Sequence, residues 1–260
     1  MKNKIRLLEE LSLNAHPSIK TEHYDGWILR FANGYTNRAN SVNMLYDSFE
    51  NLEEKLELCQ NRYFSEGLSS VFKIIPDYSD EHKKIDALLE ERGYEIVTPT
   101  DLMVLDLSKK EYPIEENTLF FDEPDSKWLE SYFEFENCTN PKSQSTAKQI
   151  MSLIQDDCIY CCLQKDGKIV ACASLAIEKG YGLLSHVVVQ ENHRGKGYGK
   201  QLCQSLLQQA KLKGAHTIYL QVLANNETAI NLYQRLGFEK FYDYWYRVKK
   251  RSSQFGGFLR

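Results

Sequence analysis

The chain has 260 residues, 42% hydrophobic and 26% charged, with 36 acids against 32 bases and a formal net charge of −4, which fits one large folded domain or two ordinary ones. Aromatics at 12%, with only 14 glycines and 6 prolines, exclude a disordered or collagen-like chain. No apolar run approaches the roughly 18 residues of a spanning helix, and the mildly acidic balance lacks the Lys/Arg block of a general nucleic-acid binder. A cytoplasmic globular protein without membrane or nucleic-acid partners is expected.

In chain order, acids interrupt the apolar residues of Met1–Leu11 at helical spacing, which argues against a signal peptide. Gly26–Phe31 and Ser41–Tyr46 read as strands, and Leu52, Leu56 and Cys59 mark one face of a helix. Ser70–Ile75 is a strand stopped by Pro76, a helix over about 80–92 ends at Gly93, and Ile96–Leu107 returns to strand. The polar stretch 108–117 has no periodicity and is the expected linker. Thr118–Phe121 then opens a second region. Asp125 caps a helix bearing Trp128, Leu129, Tyr132 and Phe133, and another helix is expected over 145–154. Strands at 158–164, 168–177 and 182–190 form a meander whose turns are Asp166-Gly167 and Lys179-Gly180. After a glycine-rich loop come a helix over 198–213 closed by Gly214, a strand His216–Leu223, a helix over 227–236 closed by Gly237, and the aromatic strand 241–248. The pattern predicts an α+β layered fold.

The halves resemble each other. A shift of 147 places Gly67 on Gly214, Val71 on Ile218 and Phe72 on Tyr219; with three residues of slippage, Gly93-Tyr94 falls on Gly237-Phe238 and Leu89 on Tyr233. Such repetition suggests duplication. Where the second half has its glycine-rich loop, the first has the acidic Asp47-Ser-Phe-Glu-Asn51. The expected division is a degenerate domain 1–110 and a ligand-binding domain 116–260.

Seven cysteines, an odd number, argue against a disulfide framework. Cys158-x-x-Cys161 lies in an apolar strand with no second pair at zinc spacing, so no metal site is expected. The strongest motif is His193-Arg194-Gly195-Lys196-Gly197-Tyr198-Gly199-Lys200, between an apolar strand and an amphipathic helix. Glycines admit close backbone approach and positive φ; the helix start offers unpaired N–H groups, and Arg194, Lys196 and Lys200 add charge. Together they suit a phosphate or pyrophosphate. A Walker A loop fails at Arg194 and Gln201, and a dinucleotide fingerprint fails at Lys200.

Arg194-x-x-Gly197-x-Gly199 resembles the acetyl-CoA pyrophosphate loop of the GCN5-related N-acetyltransferase (GNAT) superfamily, and Asn226-x-x-Ala229-x-x-Leu232-Tyr233-x-x-x-Gly237-Phe238 resembles that family's second signature. The resemblance covers roughly 118–250, and Tyr244-Trp-Tyr-Arg247 resembles a subgroup with a degenerate GNAT-like half at the N-terminus. It implies a mixed, mostly antiparallel sheet flanked by helices, two tandem domains, and acetyl-CoA as cosubstrate. It further implies that Val187, Val188 and Val189 pair with the pantetheine arm through their backbone. The loop Arg194, Gly195, Lys196, Gly197, Tyr198 and Gly199 would hold the pyrophosphate, and Asn226 would contact the cofactor arm besides capping its helix. Tyr233 would protonate the departing thiolate. A primary amine of a small molecule or peptide would attack the thioester directly. The ribosomal-protein branch of the family carries a glutamate where this chain has Gln221, which cannot act as a base, so the base is unassigned and His186 is its candidate. Trp128, Tyr132 and Phe133 would help frame the acceptor pocket. The alternative is a non-catalytic acyl-CoA-binding or regulatory protein. The cationic tail Lys249-Lys-Arg251 alone would support a third reading, RNA or ribosome association.

Overall fold

A computed structural model describes residues 1–46 and 48–251; Asp47 of the acidic loop, and the end of the expected second domain at 252–260, lie outside the described residues. The elements are α1 (Lys2–Ala15), β1 (Lys20–Tyr24), β2 (Trp27–Phe31), β3 (Val42–Met44), α2 (Leu52–Ser65), β4 (Ser70–Ile74), α3 (Asp80–Glu91) and β5 (Glu95–Asp106). They continue with β6 (Thr118–Phe121), α4 (Ser126–Phe135), α5 (Pro141–Ser152), β7 (Asp157–Lys165), β8 (Lys168–Glu178) and β9 (Tyr181–Val189). The last are α6 (Tyr198–Leu212), β10 (Thr217–Leu223), α7 (Glu227–Leu236) and β11 (Glu239–Lys249). No described helix is long and apolar enough to cross a membrane.

Two compact units share the chain. Of the described residues, the first comprises 1–6, 18–99 and 243–251; the second comprises 7–17 and 100–242. In the first unit the strand order is β1-β2-β3-β4-β11, antiparallel except for the parallel β3–β4 contact at Val42 and Phe72. Its core gathers Trp27, Phe31, Tyr63, Phe72, Ile85 and Leu89. The buried Arg247 guanidinium of β11 grips Asp86 of α3 at 2.7 and 3.1 Å, and the Trp245 indole donates to the same carboxylate at 2.9 Å.

The second unit orders β6-β7-β8-β9-β10 and the 100–106 part of β5, antiparallel except for β9–β10. Both central residues of the Asp166-Gly167 and Lys179-Gly180 turns have positive φ, the geometry that matches strand twist in two-residue hairpins. On one sheet face, Leu202, Leu206, Leu207 and Ala210 of α6 and Leu236 of α7 pack on Cys161, Ala173 and Ile218. On the other, Trp128 and Phe135 of α4 and Met151 of α5 cover Tyr160, Cys162, Cys172 and Val188. The expected α+β fold with a mixed, mostly antiparallel sheet and flanking helices is the observed one.

Helix, left-handed glycine and strand recur as α2–Gly67–β4 and α6–Gly214–β10, and again in Gly93 before β5 and Gly237 after α7. Each repeat lends its last strand away, however. β5 follows α3, yet its Thr100–Asp106 pairs with β10; β11 follows α7, yet its Trp245–Lys249 pairs with β4. The units are therefore discontinuous in sequence, and their make-up differs from the linear division 1–110 and 116–260. The stretch 108–117 is also no free linker. Tyr112 is buried in the second unit's core, its hydroxyl donates to the Leu236 carbonyl at 2.9 Å, and the Glu115 amide donates to Ser205 Oγ at 2.9 Å. Two further departures have local causes. Among the described residues β1 is a hydrophilic strand that pairs only with β2, through the Asp25-Gly26 turn, and α5 starts at Pro141, before the expected 145, because Asn140 caps it.

Candidate active site

The site is built around a parting of two strands. β9 pairs with β8 from Tyr181 to Val189, but with β10 only through Tyr181, Gly182 and Leu183, opposite Thr217, Ile218 and Tyr219. β10 runs on to Leu223 while held by β5 on its other side. From Leu184 to Val189, toward the glycine-rich loop, the edge of β9 on the β10 side lacks a described strand partner. The zipped end is tight. A Cβ on Gly182 would lie 2.6 Å from Ile218 Cδ1 and 2.8 Å from Leu175 Cδ2.

At the open end the chain makes a single turn at Glu191–His193 and enters the loop. Gly195 and Gly197 have φ of +75° and +86°, and a Cβ at either would meet nothing within 4 Å. Conformation requires these glycines, and the space in front of them is open. Gly197 is the N-cap of α6 and no side chain caps the helix, so the amides of its first turn point out without a side-chain partner. Gly199 is different: its Cβ would touch Leu232 Cδ2 and Val189 Cγ2, each at 3.4 Å, so it brings α6 against both α7 and the end of β9. Arg194 Nε donates to the Val189 carbonyl at 3.1 Å and Lys196 Nζ to the Asn192 carbonyl at 2.9 Å, which holds both cations along the loop. Unpartnered amides, the positive end of the helix dipole and two loop cations thus lie together at the start of α6, the components from which an anion site is made.

α7 starts at Asn226, whose side chain accepts from the Ala229 amide at 3.1 Å. Its cap role is thus established by geometry. Tyr233 is 8% exposed and packs edge-to-face on Phe238 in the cluster that also receives Val187 and Val189. Burial pushes its phenol well above the ordinary value of 10, so it keeps its proton at neutral pH. Among the described residues no group hydrogen-bonds its hydroxyl.

His186 sits at an irregularity the sequence does not announce. Cys172 pairs with Val188 and Ser174 with Ser185, so β9 carries one extra residue here, and His186 has φ +56°. The bulge reverses the strand's alternation. Leu184 faces α6, yet His186 lies against Trp128 and Tyr132 of α4, on the same face as Val188. Tyr233 and His186 therefore lie on opposite faces of the sheet. Gln221 donates to Ser12 Oγ at 3.3 Å, a contact that ordinary sequence reasoning misses because α1 is remote in the chain. Of the aromatics expected near an acceptor pocket, Trp128 is fully buried and donates to the carbonyls of Cys161 and Ala173. Phe133, with Leu129, Glu134, Cys138, Gln144 and Lys148, lines a cavity of about 630 Å³ between α4 and α5.

The first unit's counterpart loop is occupied by the chain itself. Asp25 accepts from the amides of Phe49 and Glu50 at 3.0–3.1 Å and from Ser48 Oγ at 2.8 Å, and pairs with Lys55 Nζ at 2.8 Å. Lys55 is completely buried, with its ammonium 4.1 Å from the Trp27 ring centroid. Asn51, moreover, caps α2, accepting from the amides of Glu53 and Glu54. Lys55 holds the Asp25 carboxyl well below its ordinary 3.8, and Arg62 holds Glu22 at about 2 against an ordinary 4.5. Depressed carboxylates stabilise above their unfolded values and cease to do so as pH falls through the folded ones. The melting temperature should hence drop as pH falls from about 4.5 toward 2. Asp25→Asn, which leaves Lys55 buried without its counter-charge, should lower it by roughly 5 °C or more at pH 7. Thermal melts across pH read both; an unchanged melting temperature in Asp25→Asn would remove the carboxylate from this role.

The sequence profile of a family described as the C-terminal region of the probable histone acetyltransferase Rv0428c matches residues 2–247. The chain is 30% identical over 251 residues to the uncharacterized N-acetyltransferase YobR of Bacillus subtilis, covering 95% of this chain and 99% of that one. It is 31% identical over 78 residues, 30% of this chain and 53% of the relative, to the ribosomal protein bS18-alanine N-acetyltransferase of Escherichia coli. A GCN5-related N-acetyltransferase from Kribbella flavida superposes with a TM-score of 0.70 at 16% identity, over 98% of this chain and 97% of that one.

Proposed function

We propose that this chain, which belongs to the GNAT superfamily and to its Rv0428c C-terminal family, is an acetyltransferase that moves acetyl from acetyl-CoA to a primary amine of a small molecule or peptide. The observation that supports this most is the gap between β9 and β10, which ends at a glycine loop and an uncapped helix start. The residues fit the cosubstrate. The amides of Tyr198 and Gly199, with Arg194 and Lys196, would hold its diphosphate, and the edge of β9 at Val187–Val189, where the Val189 carbonyl already accepts from Arg194, would pair through its remaining backbone groups with the pantetheine arm. Acetyl-CoA brings the activated acetyl group; the remaining work belongs to the chain.

A backbone N–H near Val188 donates to the acetyl carbonyl oxygen as negative charge grows there. Tyr233, protonated and without an internal partner, gives its proton to the sulfur that leaves. The amine arrives from the His186 face; as its nitrogen bonds the acetyl carbon and the C–S bond breaks, the nitrogen's proton leaves to solvent water on that side, while the sulfur takes its proton from Tyr233 on the other. That an amine is the acceptor rests on the E. coli relative, which acts on an alanine of a ribosomal protein.

The test is free-thiol release from acetyl-CoA across a panel of polyamines, amino acids and N-terminal peptides, with mass spectrometry of the acceptors. Acceptors heavier by one acetyl group are expected; thiol release without any acetylated acceptor would defeat the reading. Because Asp25 fills the anion position of the first unit, calorimetry on the full chain should give one acetyl-CoA bound per chain. Two equivalent sites would contradict that assignment.

A further inference from the structure

Ser174 and His186 meet on the α4 face of the second unit's sheet, where Ser174 Oγ and His186 Nδ1 are 2.7 Å apart. Ser174 is 6% exposed, and among the described residues His186 is the sole hydrogen-bond partner of its hydroxyl. A hydroxyl has one hydrogen to donate. Were it to accept from a protonated Nδ1, that hydrogen would be left buried and undonated, at the full penalty of a lost bond. The satisfied arrangement has Ser174 donating to Nδ1, which puts the neutral imidazole's proton on Nε2.

The ring is also fixed in orientation. Trp128 and Tyr132 stand at 88° and 87° to it, with centroids 5.8 and 5.0 Å away. The bulge that turns His186 to this face places it in the left-handed region, unusual for a residue with a side chain. Strain, ring clamp and hydroxyl converge on one imidazole.

We propose that Ser174 is a positioning residue that locks His186 as the Nε2–H tautomer, so that His186 serves acetyl transfer as a neutral hydrogen-bond donor and not as the base that removes the amine's proton. The role in transfer rests on the function proposed above; the tautomer does not.

Nitrogen-15 NMR of the full chain labelled at histidine tests the tautomer without reference to activity. At mildly alkaline pH, Nδ1 of His186 should show the signature of an unprotonated acceptor and Nε2 that of an N–H. Ser174→Ala should convert this to a mixture of tautomers and lower kcat about five- to tenfold, with KM for acetyl-CoA unchanged, and Ser174→Thr should restore both. His186→Gln, which keeps an N–H donor but is no base, should retain at least about a tenth of wild-type turnover, whereas His186→Ala should lose about a hundredfold. A proton on Nδ1 in the wild type overturns the proposal, as does a His186→Gln variant no better than His186→Ala. Failure to acetylate any amine would instead count against the acetyltransferase reading, and the spectrum would still decide the tautomer.

Discussion

Tyr233→Phe should lower kcat for acetyl transfer by about a hundredfold while changing the affinity for acetyl-CoA less than about twofold. The separation follows from where the hydroxyl sits. The ring is buried against Phe238 and contributes packing that phenylalanine reproduces, so fold and cosubstrate cradle survive. The hydroxyl itself makes no bond within the described chain, and burial keeps its proton in place across the neutral range. What the substitution removes is a proton donor, so the thiolate then leaves without one. Steady-state kinetics with calorimetry read the two quantities separately. Equal turnover in the variant would take Tyr233 out of the chemistry and leave it as a core residue.

Gly197→Val should weaken acetyl-CoA binding by about a hundredfold or more. Gly197 has φ +86° and begins α6, so a β-branched side chain forces the loop out of its left-handed turn and redirects the first amides of the helix. Crowding does not explain the effect, because nothing lies within 4 Å of the added Cβ. The control is Gly214→Val, at φ +89° beyond the other end of the same helix and equally open. That variant should lower stability by a similar amount yet bind acetyl-CoA normally. Calorimetry on the two proteins, with melting curves to match their stabilities, separates a cradle defect from a folding defect. Equal binding losses in both would mean the loop glycine acts only through stability.

Much of this was readable from residue order alone. The two signatures around Gly197 and Tyr233 lie on local structure, a strand, a turn and two helices, and local structure is encoded in propensity, capping and glycine placement. The helix Glu227–Leu236 with Gly237 beyond it follows the sequence expectation residue for residue. Strand β1 was missed because Lys20–Tyr24 alternates weakly and is largely exposed, although Asp25-Gly26 is a hairpin signal that could have revealed it. The bulge at His186 leaves no trace in composition, since it depends on how two strands register. The contacts of Ser12 with Gln221, and of Asp25 with Lys55, join residues 209 and 30 positions apart, beyond the reach of any periodic pattern. Tyr112 turned an apparent linker into core because one aromatic in a polar stretch outweighs its neighbours.

The exchange of final strands fixes an order of events during synthesis. Residues 18–99 leave the ribosome early, but β4 lacks one of its neighbours until 245–249 have been made, so the part translated first is the last to be finished. For most of elongation that nascent sheet keeps a bare margin, while 100–242 already hold every strand they need. Loss of the chain from Trp245 onward would thus injure the beginning of the protein more than the middle that precedes the cut.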